Sequence, residues 1–397
     1  MNDIFIDVDY DQIYKHDQEI GGDVFLLSKN PDSNQIVATL SDGLGSGVKA
    51  NVLASLTAHM AHKLSFSDMD LTHSARIIMN TLPVCKERKI SYATFTIVDI
   101  RYPSMKDISV SLVEYDNPPV LRFSGSQEIS WNRDLIDLKR PGAFKQEILK
   151  RSEFSMKNGD RLVMFSDGVT QSGMGSTMPL GWRLDGVRQF AKACIERDPD
   201  ISSHELSRAI VQHAYSLDGL CSKDDITCSV VYVRSPRRTL VVTGPPFTKD
   251  NDAALGEKIR SFNGRKIVAG GTTALIVSRL FGSPIHVDMV HWSKDVPPFS
   301  SMDGIDLVTE GMLTLSKVVK VLEEKTPEAM LPDDAVRRFV HILLDSDQVH
   351  FIVGTKINEA HQDPNIPAEI GIRRTMIARL RKVLEEHYLK ETSLEYM

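Results

Sequence analysis

Ser41-Asp42-Gly43-Leu44-Gly45-Ser46-Gly47 is the stretch on which the reading of this chain turns. It follows Gln35–Ser41, a β-prone run, and precedes Val48–Leu64, where apolar residues recur at helical spacing and place Val52, Leu56, Met60 and Leu64 on one face. An aspartate thus leaves a strand, enters a glycine-rich turn and meets a helix start. The glycines let the chain turn sharply without side-chain clashes. Upstream, Val24–Ser28 is a second β-prone run, and Lys29-Asn30-Pro31-Asp32-Ser33-Asn34 is a cluster of turn formers between the two, which predicts a β-hairpin. That hairpin starts at Gly22-Asp23 and ends at Asp42.

Two further acidic motifs stand at strand boundaries. Arg161–Ser166 runs into Ser166-Asp167-Gly168, and Asp224-Asp225 opens the apolar run Ile226–Val233. Singly, Gly-Asp and Asp-Gly are ordinary turn chemistry, and Asp-Asp ahead of a strand is ordinarily solvated. Together they place aspartates at strand tips. Carboxylates aimed at one point repel, at a cost of several kcal/mol unless cations neutralise them. All-oxygen ligands favour hard divalent ions such as magnesium or manganese. The reading is a metal site serving phosphate chemistry.

The remaining segments between these motifs are a helix near Leu71–Leu82, alternating strands at Tyr92–Ile100 and Ile108–Tyr115, and the turn Asn117-Pro118-Pro119 with Val120–Phe123 returning from it. Phe154–Met156 and Arg161–Ser166 flank Lys157-Asn158-Gly159-Asp160, a hairpin signal. Trp182–Glu196 and Ser203–Leu217 carry helical patterns. Hairpin-linked strands with paired helices define an antiparallel α+β sandwich.

The order Gly21-Gly22-Asp23, Ser41-Asp42-Gly43-Leu44-Gly45-Ser46-Gly47, Phe165-Ser166-Asp167-Gly168-Val169, Asp224-Asp225-Ile226-Thr227 resembles the metal-dependent type 2C protein phosphatases. The nearest pattern is the bacterial branch typified by the stage II sporulation protein E phosphatase and related stress-response regulators. The resemblance covers about residues 1–234. It implies a four-layer α-β-β-α antiparallel sandwich and hydrolysis of phosphoserine or phosphothreonine by a water activated between two Mn2+ or Mg2+ ions. By resemblance, Asp42 bridges the ions and the Gly43 carbonyl joins one shell. Asp23 corresponds to a carboxylate of the site, Asp167 and Asp224 serve the other ion, and Asp225 ranks second to Asp224. Asp42 and Asp167 are the catalytic candidates. It also implies that the helices after Asp42 can move and gate metal binding, so that activity would await a partner or an assembly step. One departure stands out: Asp11–Asp23 holds no arginine of the kind that grips phosphate in eukaryotic members, and Lys15 and His16 lack matching context. Phosphate would then rest mainly on the ions, and protein substrates would be chosen by docking surfaces.

Arg234-Ser235-Pro236-Arg237-Arg238 is a polar break. It divides a phosphatase-like domain, 1–234, from a smaller α/β domain, 235–397, of regulatory or ligand-sensing role. In the latter, strands at Thr239–Thr243, Lys266–Ala269, Ile305–Thr309 and His350–Val353 alternate with helical patterns, which predicts a largely parallel sheet. Ile370–Tyr388 reads as one helix with a basic face, solvated or dimer-facing. Gly270-Gly271-Thr272-Thr273 lies between a strand and a helix, where backbone amides can meet an anion. Thr243-Gly244-Pro245-Pro246 ends another strand, and Asp306 and Glu310 flank a third strand end. Walker and dinucleotide spacings are absent, so plain turn chemistry and a phosphate-bearing ligand both satisfy these residues.

With 42% hydrophobic and 25% charged residues and a net charge of −6, the chain has the balance of a soluble globular protein and no general pull toward nucleic acid or anionic membrane. No signal peptide or membrane span is read in it, and Cys85, Cys194, Cys221 and Cys228 form no CxxC pair, which fits reduced thiols in the cytoplasm. His59 and His62 share a helix face without a third ligand and are expected at the helix surface. The expected partner is a phosphorylated regulatory protein of the anti-sigma-antagonist type, with a homodimer as the expected assembly. The rival functions are a phosphatase-like scaffold of weak activity and a hydrolase of small phosphoesters or nucleotides.

Overall fold

Alternation along the strands of the first half sends odd and even residues to different apolar environments, and this builds the layers. A computed structural model describes residues 4–30, 33–45, 47–67, 69–81, 93–104, 107–138, 147–176, 178–326, 330–355, 366–388 and 390–397. The chain divides into two compact units, Met1–Ser235 and Pro236–Met397.

The first unit opens with β1 (Phe5–Ile13), β2 (Asp23–Asn30) and β3 (Gln35–Gly43), followed by α1 (Gly47–Ser65) and α2 (Leu71–Thr81). Then come β4 (Ala93–Ser104), β5 (Asp107–Tyr115), β6 (Leu121–Ser124), β7 (Gln127–Glu128), β8 (Asp134–Leu138), β9 (Glu147–Met156) and β10 (Asp160–Phe165). The unit closes with α3 (Asp167–Gln171), α4 (Arg183–Arg197), α5 (Ser203–Leu217) and β11 (Ile226–Arg234). One sheet has the order β1-β11-β10-β6-β7 and the other β2-β3-β4-β5-β9-β8, with every pairing antiparallel.

Ile36, Ala38, Val98, Ile100, Leu162, Met164, Val231 and Val233 fill one buried cluster between the sheets. The alternate residues Val163, Phe165, Cys228 and Val230 face the helices α4 and α5. On the other sheet, Val37, Phe95 and Ile97 face α1 and α2. The result is a four-layer α-β-β-α sandwich, the architecture that the type 2C resemblance implies. The central strands β3, β4, β10 and β11 are dry on both sides, so they carry apolar residues of both parities.

Several expectations need correction. Asn117-Pro118-Pro119 and Lys157-Asn158-Gly159-Asp160 do not close hairpins: each turn carries the chain from one sheet to the other, since β5 and β9 pair together while β6 and β10 pair in the opposite sheet. A tight turn specifies reversal of direction, not which layer receives the next strand. Val52 and Leu56 do not pack inward; they are 58% and 45% exposed, while Met60 and Leu64 are half-buried against the core. The reason is the closeness of α1 to the sheet, where a Cβ on Gly43 would stand 2.1 Å from the Ala50 carbonyl oxygen. Only a small-residue face, Ala50, Ala54, Ala58 and Ala61, fits there. His62 is buried, not at the surface: its ring nitrogens meet the Ser28 hydroxyl at 2.8 Å and the Leu26 carbonyl at 3.0 Å, and burial holds its pKa below the usual value. His59 is exposed. Cys228 is buried within β11, Cys221 is exposed, and Cys85 lies outside the described residues.

The second unit is an α/β domain. It comprises β12 (Arg238–Thr243), α6 (Asp252–Ser261), β13 (Arg265–Ala269), α7 (Gly271–Phe281), β14 (His286–Val287), β15 (Ser300–Met302) and β16 (Ile305–Thr309). These are followed by α8 (Met312–Glu323), α9 (Ala335–Leu344), β17 (Gln348–Val353), α10 (Ile366–Tyr388) and β18 (Glu391–Tyr396). The strand order is β14-β15-β16-β13-β12-β17-β18, parallel from β16 through β18. β18, absent from the sequence reading, is an edge strand whose ETSLEY pattern is half-polar and gives no strong alternation signal. Among the described residues, no helix is long and apolar enough to cross a membrane.

Candidate active site

The β2–β3 hairpin sets Asp23 directly opposite Asp42 in the antiparallel register. Asp167 is the first residue of α3, immediately after β10, rather than a strand residue. Asp224 and Asp225 precede β11, the neighbour of β10. A close backbone approach and a side-chain hydroxyl draw these segments together. A Cβ on Gly168 would lie 2.0 Å from the Asp225 carbonyl oxygen, so glycine is required where α3 starts. Ser166 then ties the same junction, donating to the Asp225 carbonyl at 3.3 Å and accepting the Thr227 amide at 3.2 Å.

The acidic groups lie close enough to raise one another's proton affinity. Asp42 is pushed up to about 8, first by burial and then by Asp167, Asp224 and Asp225. Burial, then Asp42, holds Asp23 well above the usual carboxylate range, although the Thr227 hydroxyl donates to it at 2.6 Å. Asp167 is raised by burial and by Asp224, offset in part by the Gln171 side-chain amide at 2.6 Å. Asp224 is raised by burial, with the Asp225 amide and the charge of Lys15 pulling the other way. Among the described residues, these carboxylates form no salt bridge.

Asp225 is held differently. Its Oδ1 accepts the Lys15 amide at 2.9 Å and its Oδ2 the Gly22 amide at 2.5 Å. Only 4% of the residue is exposed. It therefore pins the loop that carries Asp23, across more than two hundred residues of sequence. The Gly43 carbonyl is in the same neighbourhood: a Cβ placed on Gly22 would be 3.3 Å from it and 3.2 Å from Asp225 Oδ2. Asn51 on α1 donates to the Gly21 carbonyl at 2.8 Å, which links the helix after Asp42 to the same loop.

The donor set suits a hard divalent cation. It is all oxygen, largely buried, and its raised proton affinities express a need for positive charge. It is not a finished cage, because among the described residues no three His, Cys, Asp or Glu side chains already stand in a ligand arrangement. Asp23 and Asp225 are occupied by protein donors. Sequence reasoning set Lys15 aside and did not single out Asn51, because their partners, Asp225 and Gly21, lie far away in the chain; Gln171 stands one helical turn from Asp167, so its role was open to a local reading and was missed. Thr227 was within the quoted motif, but its bond to Asp23 depends on two strands of different sheets.

The family model for stage II sporulation protein E (SpoIIE) matches residues 32–234, just over half of the chain, and the chain belongs to that family. Among curated proteins, none matches its sequence. Solved structures similar to it include the phosphatase domain of SpoIIE from Bacillus subtilis, at 16% identity over 59% of this chain and 95% of that one, with a TM-score of 0.43. The RsbU and RsbW domains of a Mycobacterium tuberculosis protein match at 14% identity over 64% of this chain and 67% of that one, with a TM-score of 0.44. The catalytic domain of the serine threonine protein phosphatase PstP, in complex with manganese ions, matches at 13% identity over 58% of this chain and all of that one, with a TM-score of 0.39. At such values the superpositions carry no argument about activity; the family assignment rests on the family model.

Proposed function

We propose that the first unit is a metal-dependent protein phosphatase, acting on phosphoserine or phosphothreonine of a bacterial regulatory protein. The supporting observation is the gathering of buried Asp23 with half-buried Asp42, Asp167 and Asp224, acids whose proton affinities are raised by burial and by neighbouring carboxylates. Family membership supports the reaction class and the cytoplasmic, anti-sigma-antagonist type of substrate.

Asp42, Asp167 and Asp224 would be the principal ligands, with Asp23 and the Gly43 carbonyl completing the set. Two manganese or magnesium ions would supply the charge that makes a water nucleophilic at neutral pH and offsets charge growing on the phosphoryl oxygens. Within the chain, Asp225 orients the Asp23 loop through the Lys15 and Gly22 amides. Gln171 holds Asp167 Oδ2 and so orients the carboxylate. Thr227 stabilises the ionised form of Asp23 and so favours the charged state that ligation needs. No cysteine or serine nucleophile is required.

Turnover of a generic phosphoester and of phosphopeptides during a manganese titration tests this reading. Asp42→Asn and Asp167→Asn should each lower turnover by about 100-fold or more. Unchanged turnover in both variants would overturn the catalytic assignment. A second reading, a partner-binding scaffold of weak activity, is favoured by the incomplete ligand arrangement. It predicts no saturable manganese binding by calorimetry, whereas the phosphatase reading predicts binding that both variants weaken. Hydrogen exchange of α1 and α2 that is equally slow with and without manganese would count against gating by those helices.

A further inference from the structure

The parallel strands of the second unit run β16-β13-β12-β17-β18. β12 comes first in the chain; later strands are added on one side through β13 and on the other through β17, so the order reverses at β12. Such a reversal opens a crevice beyond the carboxyl ends of the strands, where open α/β sheets take ligands. A cavity of about 500 Å³ lies there, between the ends of β12, β13 and β16 and α10.

Two helices begin in this cavity. The N-caps of α7 and α8 are Gly270 and Gly311, both at φ 138°, and neither supplies a side-chain cap. They touch: a Cβ on Gly311 would be 3.2 Å from the Gly270 Cα. The first intrahelical bonds run from Ala274 to Gly270 and from Leu315 to Gly311. The amides of Thr272 and Thr273, and those opening α8, therefore lack helical acceptors and carry the positive ends of two macrodipoles. An independent observation points to a ligand. Thr273 lines the cavity, is 1% exposed, and its Oγ1 has no hydrogen-bond partner. Buried hydroxyls are ordinarily satisfied, so an orphan one facing a cavity marks a missing acceptor. The Arg373 guanidinium adds a positive wall, close enough to β12 that a Cβ on Gly244 would be 2.6 Å from it. Glu310 is exposed at the rim and can accept from hydroxyls, and Met312 and Ile372 give apolar surface.

We propose that this crevice binds the phosphate group of a small hydroxylated phosphate ester of about mononucleotide size, which makes the second unit a ligand-binding module. Phosphate sits on the paired starts of α7 and α8, accepts from Thr273 Oγ1 and faces Arg373. The hydroxylated remainder extends toward Glu310.

The test uses the full chain in EDTA, with inorganic phosphate, AMP and adenosine as calorimetric probes. Phosphate and AMP should bind, AMP more tightly, and adenosine should not. Gly271→Asp is a clean probe, because a Cβ there meets nothing within 4 Å. An acid in the first turn of a helix is also tolerated. It should weaken AMP about tenfold or more without lowering the melting temperature. Thr273→Val removes the orphan hydroxyl at constant shape and should weaken AMP about three- to tenfold while the melting temperature of the free chain holds or rises. The Asp42→Asn, Asp167→Asn double variant should bind AMP like the parent, which separates this site from the acidic one. The proposal is overturned if neither phosphate nor AMP binds, if adenosine binds as well as AMP, or if both crevice variants bind as the parent does.

Discussion

The acidic site of the first unit and the crevice of the second are built by the same device and carry opposite electrostatic signs. In both, glycines at strand-to-helix junctions let loops approach closely and converge. At the first, the loops deliver carboxylates, and Asp42 keeps its proton up to about 8. At the second, they deliver the starts of α7 and α8 and an unsatisfied Thr273 hydroxyl. A converging set of loops is thus neutral as to function; the groups it carries decide whether the site demands cations or anions.

The sharpest way to break this comparison is to add one methyl group at each place. Gly168→Ala should destabilise the first unit by about 3 kcal/mol or more and abolish activity, because the Cβ would collide with the Asp225 carbonyl and push α3 from β11. Gly271→Ala is its control, with open space around the Cβ and an expected effect within about 1 kcal/mol in the stabilising direction. Denaturant melts of both variants decide the matter, and equal melts would sink the close-approach argument.

A second test is the pH dependence of the metal-free chain. The ordinary Asp value is 3.8, and folding raises Asp42 to about 8 and Asp23 in the same direction. The folded state then binds more protons than the unfolded one between those limits, so stability is greatest below pH 4 for these groups and is lost as pH rises toward 8. Thermal melts in EDTA from pH 5 to 8 should fall steadily, Asp42→Asn should flatten the slope, and saturating manganese should do the same. A slope unaffected by either would separate the acids from the stability of the fold.

Among the variants of the acidic site, the smallest expected effect comes from Thr227→Val. It removes the hydroxyl that donates to Asp23 and leaves the carboxylate less favoured as an anion. Loss of about 1–2 kcal/mol is expected, with weaker manganese binding and a minor effect on turnover at saturating metal. Chemical melts and a manganese titration measure both.

Much of the acidic site was legible in the chain. Strand-Asp-Gly junctions and the Asp-Asp-x-Thr strand start are local patterns, and the physics of clustered carboxylates follows from them. Other features were not. Nothing in Asn117-Pro118-Pro119 says that the next strand joins the opposite sheet. Helical periodicity marked Val52 and Leu56 as a shared face, but the closeness of Gly43 to Ala50 gave the sheet to alanines instead.

By itself, then, the sequence determined where many of the turns fall, which of the strongly patterned segments are strands or helices, and which turns carry acids or glycine-flanked amides, because those depend on neighbours a few residues away; β1, β8, α3 and β18 lacked such a pattern. The tertiary structure alone decided that Asp225 grips the amides of Lys15 and Gly22, that His62 is buried, and that α7 and α8 begin side by side. Each of these joins groups far apart in the chain. Such contacts depend on how whole layers pack, and that packing has no local signature in the order of residues.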